Sequence, residues 1–308
     1  MDKTVTAHFI AFTTIVFWAT TFIATKLLLE DFTPIEILIT RFTLGTIALG
    51  VAEILMRKKS GTRKPFNWRQ ELLFAGAGAT GITLYYLLEN IALTYSTASN
   101  VGIIVSIAPL TTAMLAFLFL REEHPGPAFL VGFTTALVGV ALVLFNGKVV
   151  LKVNPRGDIL ALMATLAWAI YSILLRKIDT STYHVVEYTR RIFCYGLLFM
   201  VPAALSMGVT LHVDDFTPRN TGLLLFLGFG ASALCFVSWN HAVKILGALK
   251  TSAYIYLTPL VSCATAALVL NEKITPMAIG GCALILTGLY LSERKTRLPQ
   301  KKLQVEKP

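Results

Sequence analysis

Asn90 and Asn240 stand 150 residues apart, each inside a long apolar stretch. An amide in that setting can donate and accept hydrogen bonds to a solute that has left water. Tyr85, Tyr86 and Glu89 precede Asn90, and Tyr86, Glu89 and Asn90 share one helix face by their three- and four-residue spacing. Trp239 precedes Asn240. Trp18 and Trp168 repeat the same 150-residue interval. Trp18 shares its face with Thr21, Phe22 and Thr25, and Trp168 shares its face with Tyr171 and Ser172. Aromatic walls with a few amide, hydroxyl and carboxyl groups suit the binding and release of an organic solute. The expected solute-binding set is therefore Trp18, Tyr85, Tyr86, Glu89, Asn90, Trp168, Tyr171, Trp239, Asn240, Tyr254 and Tyr256.

Pro109 and Pro259 form a second pair at the same interval. Each removes a backbone donor and frees the carbonyl one turn back, at Val105 and Ile255. These prolines are expected to act as kinks beside the solute path. Arg41 and Arg191 are a third pair, expected to make gating or structural ion pairs. Arg41 should lie about 10 Å into its helix at about 1.5 Å per residue.

Catalytic templates are missing from the sequence: there is no G-x-S-x-G, no H-E-x-x-H and no Walker lysine loop. No enzymatic activity, cofactor or metal site is expected. Without an ATP site, any movement of such a solute would draw on a gradient of solute or ions, with protons a candidate coupling ion. Cys194, Cys235, Cys263 and Cys282 lack metal-ligand spacing and read as small packing residues. Gly76, Gly78 and Gly81 spell G-x-G-x-x-G but sit inside an apolar helix with no preceding strand. They read as helix-contact glycines rather than a dinucleotide site.

The elements that must position these residues are membrane helices. Hydrophobic residues make up 55% of the 308, charged residues 14%, and mean hydropathy is +0.68. Apolar blocks fall at 7–29, 34–56, 72–93, 98–120, 127–145, 157–176, 187–207, 221–243, 250–270 and 276–292. Most reach the roughly 20 residues that cross a bilayer core. The expected fold is all-α and integral to the membrane, with ten helices as two five-helix repeats, 1–150 and 151–293, and a basic tail at 294–308. Five is odd, so the second repeat enters from the opposite side and the repeats are inverted. Helices five and ten are expected to brace the back through Gly132, Gly139, Gly281 and Gly288.

The formal net charge is +10, but its distribution argues against nucleic acid as a partner. With the N-terminus inside, cytoplasmic segments collect most of the basic residues, including Arg57, Lys58, Lys59, Arg63, Lys64 and the tail. The opposite loops hold only Lys148, Lys152, Arg156, Arg219 and Lys273. This bias places both termini in the cytoplasm of a multi-pass protein of the cell membrane. The expected partners are a small-molecule solute and the lipid bilayer, with the protein a monomer or homodimer.

Phe17-Trp18 through Lys26, Pro34, Arg41-Phe42, Ala92 through Ser99, Pro109, Leu120-Arg121-Glu122 and Gly132 through Gly139 occur in a distinctive order. The second half echoes it with Trp168, Arg191, Ala242, Pro259, Leu270-Asn271-Glu272 and Gly281 through Gly288. In these motifs the chain resembles ten-helix transporters of the drug/metabolite transporter superfamily, EamA type, over nearly all of 7–292. The resemblance implies a secondary transporter of a small organic metabolite working by alternating access, with amino-acid export the leading expectation. A nucleotide-sugar exchanger would favour basic residues in the cavity, where aromatics dominate. A polytopic enzyme acting on lipid-linked substrates would need clustered catalytic groups at one interface, where the sequence offers scattered, mirrored polar residues.

Overall fold

The computed structural model of the protein describes residues 2–60, 66–95, 101, 104–120, 126–145, 154–261, 264 and 276–293. Helices α1 (Lys3–Leu28) and α2 (Pro34–Ser60) open the chain. Helix α3 is composite: Trp68–Ala77 is α-helical, Gly78–Leu84 is π-helical, and Tyr85–Tyr95 is α-helical again. Then come α4 (Ala108–Phe119), α5 (Pro127–Phe145), α6 (Pro155–Lys177) and α7 (Val185–Met207). Helix α8 repeats the composite plan as Pro218–Leu225, a π segment at Phe226–Leu234, and Cys235–Leu246. Helix α9 begins at Ala248–Ala253, tightens to a 3-10 turn at Tyr254–Leu257 and continues past it, and α10 is Pro276–Glu293. No strand occurs among the described residues.

Among the described residues, six helices are long and apolar enough to cross a membrane: Lys3–Thr21, Pro34–Met56, Trp68–Ala92, Pro155–Lys177, Val185–Met207 and Pro218–Leu246. Ala108–Phe119, Pro127–Leu142 and Ile279–Ser292 are shorter apolar helices. Much of the expected ninth span lies outside the described residues, as do Glu122, Glu272, Cys263 and the tail at 294–308.

Local chemistry sets the helix ends. Asn67 and Asn154 cap α3 and α6 by accepting from backbone N–H groups one turn in. Glu36 accepts from the Thr33 N–H at 2.7 Å at the start of α2, and from the Thr210 N–H of the α7–α8 loop, also at 2.7 Å. An acid there also meets the positive end of the helix dipole. Gly208 and Gly247 end α7 and α8 at φ 75° and 89°, a left-handed region where a side chain is strained.

Packing obeys an exchange of halves. Helix α5 lies against α10, with a Cβ at Gly132 falling 2.5 Å from the Gly288 carbonyl and one at Gly139 falling 2.6 Å from the Gly281 carbonyl. The early glycine of α5 meets the late glycine of α10, so these repeat-equivalent helices run antiparallel. The two halves therefore run in opposite directions, and the expected glycine brace forms. A second glycine contact is mirrored too. A Cβ at Gly78 would sit 2.6 Å from the Ile192 carbonyl of α7, and one at Gly228 would sit 2.6 Å from the Leu44 side chain of α2. Gly81 is held as close by Tyr171. The G-x-G-x-x-G stretch thus works as a helix seam, where small residues let backbones approach.

The prolines break their helices rather than bending them mid-span. Ser106 and Ile107 form a turn, and regular helix restarts at Ala108 with Pro109 second in it. In α9 the 3-10 turn precedes Pro259, and the Ile255 carbonyl accepts from the Thr258 N–H. A tighter three-residue bond thereby takes up the carbonyl that the proline leaves free. Both breaks and both π segments recur at equivalent places in the two halves.

Candidate binding site

The central feature is an aromatic cluster at the meeting of α1, α2, α3, α6, α7 and α8. Trp18 lies edge-on to Trp168 at 5.6 Å between ring centroids, and 5.2 Å from both Trp239 and Phe236. Trp168 and Trp239 are 5.9 Å apart. Tyr85 reaches Trp168 at 5.1 Å and Tyr86 at 5.0 Å. Such tilted and edge-to-face pairs are the favoured aromatic geometry.

The structure thus brings Trp18, Tyr85, Tyr86, Trp168, Tyr171 and Trp239 together. Phe42, Phe193 and Phe236 join them, though the sequence pattern does not mark them for solute binding. Phe236 is within reach of that pattern. This phenylalanine stands one turn before Trp239 and Asn240 and is the 150-residue equivalent of Tyr86.

The π segment of α8 supplies part of the site. Its wider turns alter the usual carbonyl pairing, and the Ala231 carbonyl accepts the Trp18 Nε1–H at 2.8 Å. One residue on, the Ser232 Oγ accepts from Arg41 Nε at 3.0 Å. Arg41 is 3% exposed, and its guanidinium lies 4.9 Å from the Tyr86 ring centroid and 5.2 Å from that of Phe42. The expected ion pair does not form: no carboxylate among the described residues pairs with Arg41, and hydroxyl and ring faces hold it instead. Its Nη2 has no hydrogen-bond partner. The indole N–H groups of Trp168 and Trp239, 4% and 0% exposed, are likewise unpartnered. Glu89 is buried and accepts the Tyr85 hydroxyl at 3.2 Å, and Asn90 is buried beside it on α3.

Other expected residues lie elsewhere or are occupied. Asn240 is a clasp between helices: its Oδ1 accepts the Tyr171 hydroxyl at 2.6 Å, and its Nδ2 donates to Thr189 Oγ1 at 2.9 Å. Tyr254 pairs with His8 Nδ1 at 2.7 Å, away from the aromatic cluster. Tyr256 is buried beside Phe133 of α5, at 6.3 Å. Arg191 does form the expected ion pairs, with Glu71 and, at 3.0 Å, with Glu187. Tyr195 donates to the same Glu71 at 2.8 Å, and neighbouring Arg190 pairs with Glu53 at 2.5 Å.

The sequence matches the EamA-like transporter family over residues 5–145 and again over 155–294. The chain belongs to the EamA-like transporter family. An uncharacterized transporter of Archaeoglobus fulgidus is 28% identical, covering 94% of this chain and 97% of its own. A probable terminal-alkyne amino-acid exporter of Streptantibioticus cattleyicolor is 29% identical over 92% of each chain. A solved crystal structure superposes with a TM-score of 0.76 at 21% identity, covering 94% of this chain and 97% of its own, and so shares the fold. This EamA chain is accordingly a multi-pass membrane protein that transports a small solute.

Proposed function

We propose that the protein is a secondary active exporter of an amino acid or related small metabolite. Its two inverted halves, 1–150 and 151–293, alternate access to the aromatic cluster from either side of the cell membrane. Both termini are cytoplasmic in this reading, following the basic loops and the basic tail at 294–308. The observation that carries the proposal is the mirrored set of helix irregularities around one shared site. The π segments at Gly78–Leu84 and Phe226–Leu234 and the breaks before Pro109 and Pro259 occur once in each half. Such irregularities have weaker hydrogen bonding than regular helix, so each half carries matched places where a helix can repack. The amino-acid exporter from Streptantibioticus cattleyicolor supports the solute class.

Purified protein in liposomes preloaded with unlabelled amino acids should accumulate labelled amino acid by counterflow. Counterflow no faster than in empty liposomes, across amino acids of every side-chain class, would refute the assignment. Pro109→Ala and Pro259→Ala should each slow that flux more than they lower the melting temperature. Normal flux with a lowered melting temperature would make the breaks purely structural.

A further inference from the structure

We propose that Arg41 is the anchor for a carboxylate on the transported solute, with the apolar body of that solute held against Trp168 and Trp239. This rests on the small-solute carrier reading above and names the chemistry of its site. Arg41 is a permanent cation at 3% exposure within a membrane helix. Such a charge is retained when something repays its burial, and intramembrane charges ordinarily face a partner or a path. Among the described residues, Arg41 receives a serine hydroxyl at Nε and the faces of Tyr86 and Phe42 at the guanidinium, and the buried Glu89 acts on it through space. Glu89 binds Tyr85 and makes no ion pair with Arg41.

Three buried donors remain within this one aromatic cluster: Arg41 Nη2, Trp168 Nε1 and Trp239 Nε1. The tyrosine pair bridges them, Tyr86 against the guanidinium at 4.9 Å and Tyr85 against Trp168 at 5.1 Å. Trp18 provides an internal contrast, since its N–H is spent on the Ala231 carbonyl. Unspent buried donors in the same aromatic cluster as a cation are complementary to an anion with several acceptor lone pairs, and a carboxylate supplies them. A cationic solute would meet donors and like charge. The flanking rings favour an anion attached to an apolar group over a bare inorganic one.

Two matched series of probes test this on the full-length purified protein. One is L-phenylalanine, 3-phenylpropanoate, 2-phenylethylamine and L-phenylalanine methyl ester; the other is the leucine-shaped counterpart of each. In at least one series the two carboxylates should bind, by calorimetry or thermal shift, and the amine and ester should bind about ten-fold or more weakly. Arg41→Gln should remove the carboxylate preference, and Arg41→Lys should retain only part of it. Binding of the carboxylic acid without the amino acid would uphold the anchor and overturn the amino-acid reading. Amino-acid binding unchanged in Arg41→Gln would overturn the anchor and leave the carrier reading intact. Failure of every carboxylate to bind the parent overturns the anchor. Should Arg41→Gln fail to fold, the acid-versus-ester comparison on the parent decides alone, equal affinities sinking the proposal.

Discussion

Arg41 and Arg191 occupy the same place in the two repeats and each lies against two rings, yet only Arg191 is also paired with acids among the described residues. Arg191 is surrounded by acids: Glu71 and Glu187 pair with it, and Tyr195 completes the coordination of Glu71. Arg41 is buried among rings with one hydroxyl bond and an unpartnered Nη2. The scaffold is duplicated while the chemistry is not. One arginine ties α3 and α7 together, and its counterpart keeps a charge with no carboxylate among the described residues paired to it, the buried Glu89 acting on it only through space.

The largest expected effect follows directly. Arg191→Met leaves two acids without their cation in a partly buried place and should cost about 2–4 kcal/mol of stability. Arg41→Met leaves the Ser232 hydroxyl without its donor and should cost less, about 1 kcal/mol, because it also removes a buried charge that no carboxylate among the described residues pairs. Chemical denaturation of both variants in detergent measures the difference. Equal losses would mean that Arg41 is as structural as Arg191.

Asn240 and Asn90 make the next test, since they too are repeat equivalents. Asn240→Leu deprives the Tyr171 and Thr189 hydroxyls of their partner and should cost about 2–3 kcal/mol. Asn90→Leu should cost less. A stable Asn240→Leu protein that has lost solute binding would return Asn240 to the solute-binding wall and remove its role as a clasp.

Periodicity and the 150-residue interval made the helices, the repeat, the glycine brace and the aromatic core of the site legible in the sequence. What escaped was each side chain's partner. Asn90 and Asn240 look alike in sequence, but the hydroxyls that occupy Asn240 come from Tyr171 and Thr189, on α6 and α7. Tyr254 and Tyr256 lie two residues apart, yet the 3-10 turn sends one toward His8 and the other toward Phe133. The π segments were hidden as well, because their residues are ordinary helix formers with glycines and leave no signature in hydropathy.

A smaller effect separates the tryptophans. Trp18→Phe, Trp168→Phe and Trp239→Phe each lose similar ring volume, but only the first also strands a carbonyl, that of Ala231. Trp18→Phe should therefore be less stable than the other two by about 1 kcal/mol. Trp168→Phe and Trp239→Phe should instead show their deficit in solute affinity. A reversed order of stabilities would imply that the Trp168 or Trp239 N–H already has a structural partner.

The smallest effect belongs to the loop beside the Arg191 cluster. Asp179 follows α6, and its carboxylate accepts from the Ser181 hydroxyl at 2.5 Å and from the Ser181 and Thr182 N–H groups. Its own N–H donates to Gln70, next to Glu71, at 3.0 Å. The bonds from Ser181 and Thr182 hold its carboxyl down at about 2. An unfolded aspartate titrates near 3.9, roughly, so the folded chain binds its proton later than the unfolded chain does. The resulting stabilisation is fully present above about pH 4 and fades as pH falls toward about 2, because the unfolded chain takes the proton first. Asp179→Asn cannot titrate there. The gap in melting temperature between parent and Asp179→Asn should be constant at neutral pH and shrink between about pH 4 and 2. A gap that stays constant through that window would mean the loop is held by the Gln70 contact and its backbone, with the charge on Asp179 contributing nothing to the Arg191 end of the molecule.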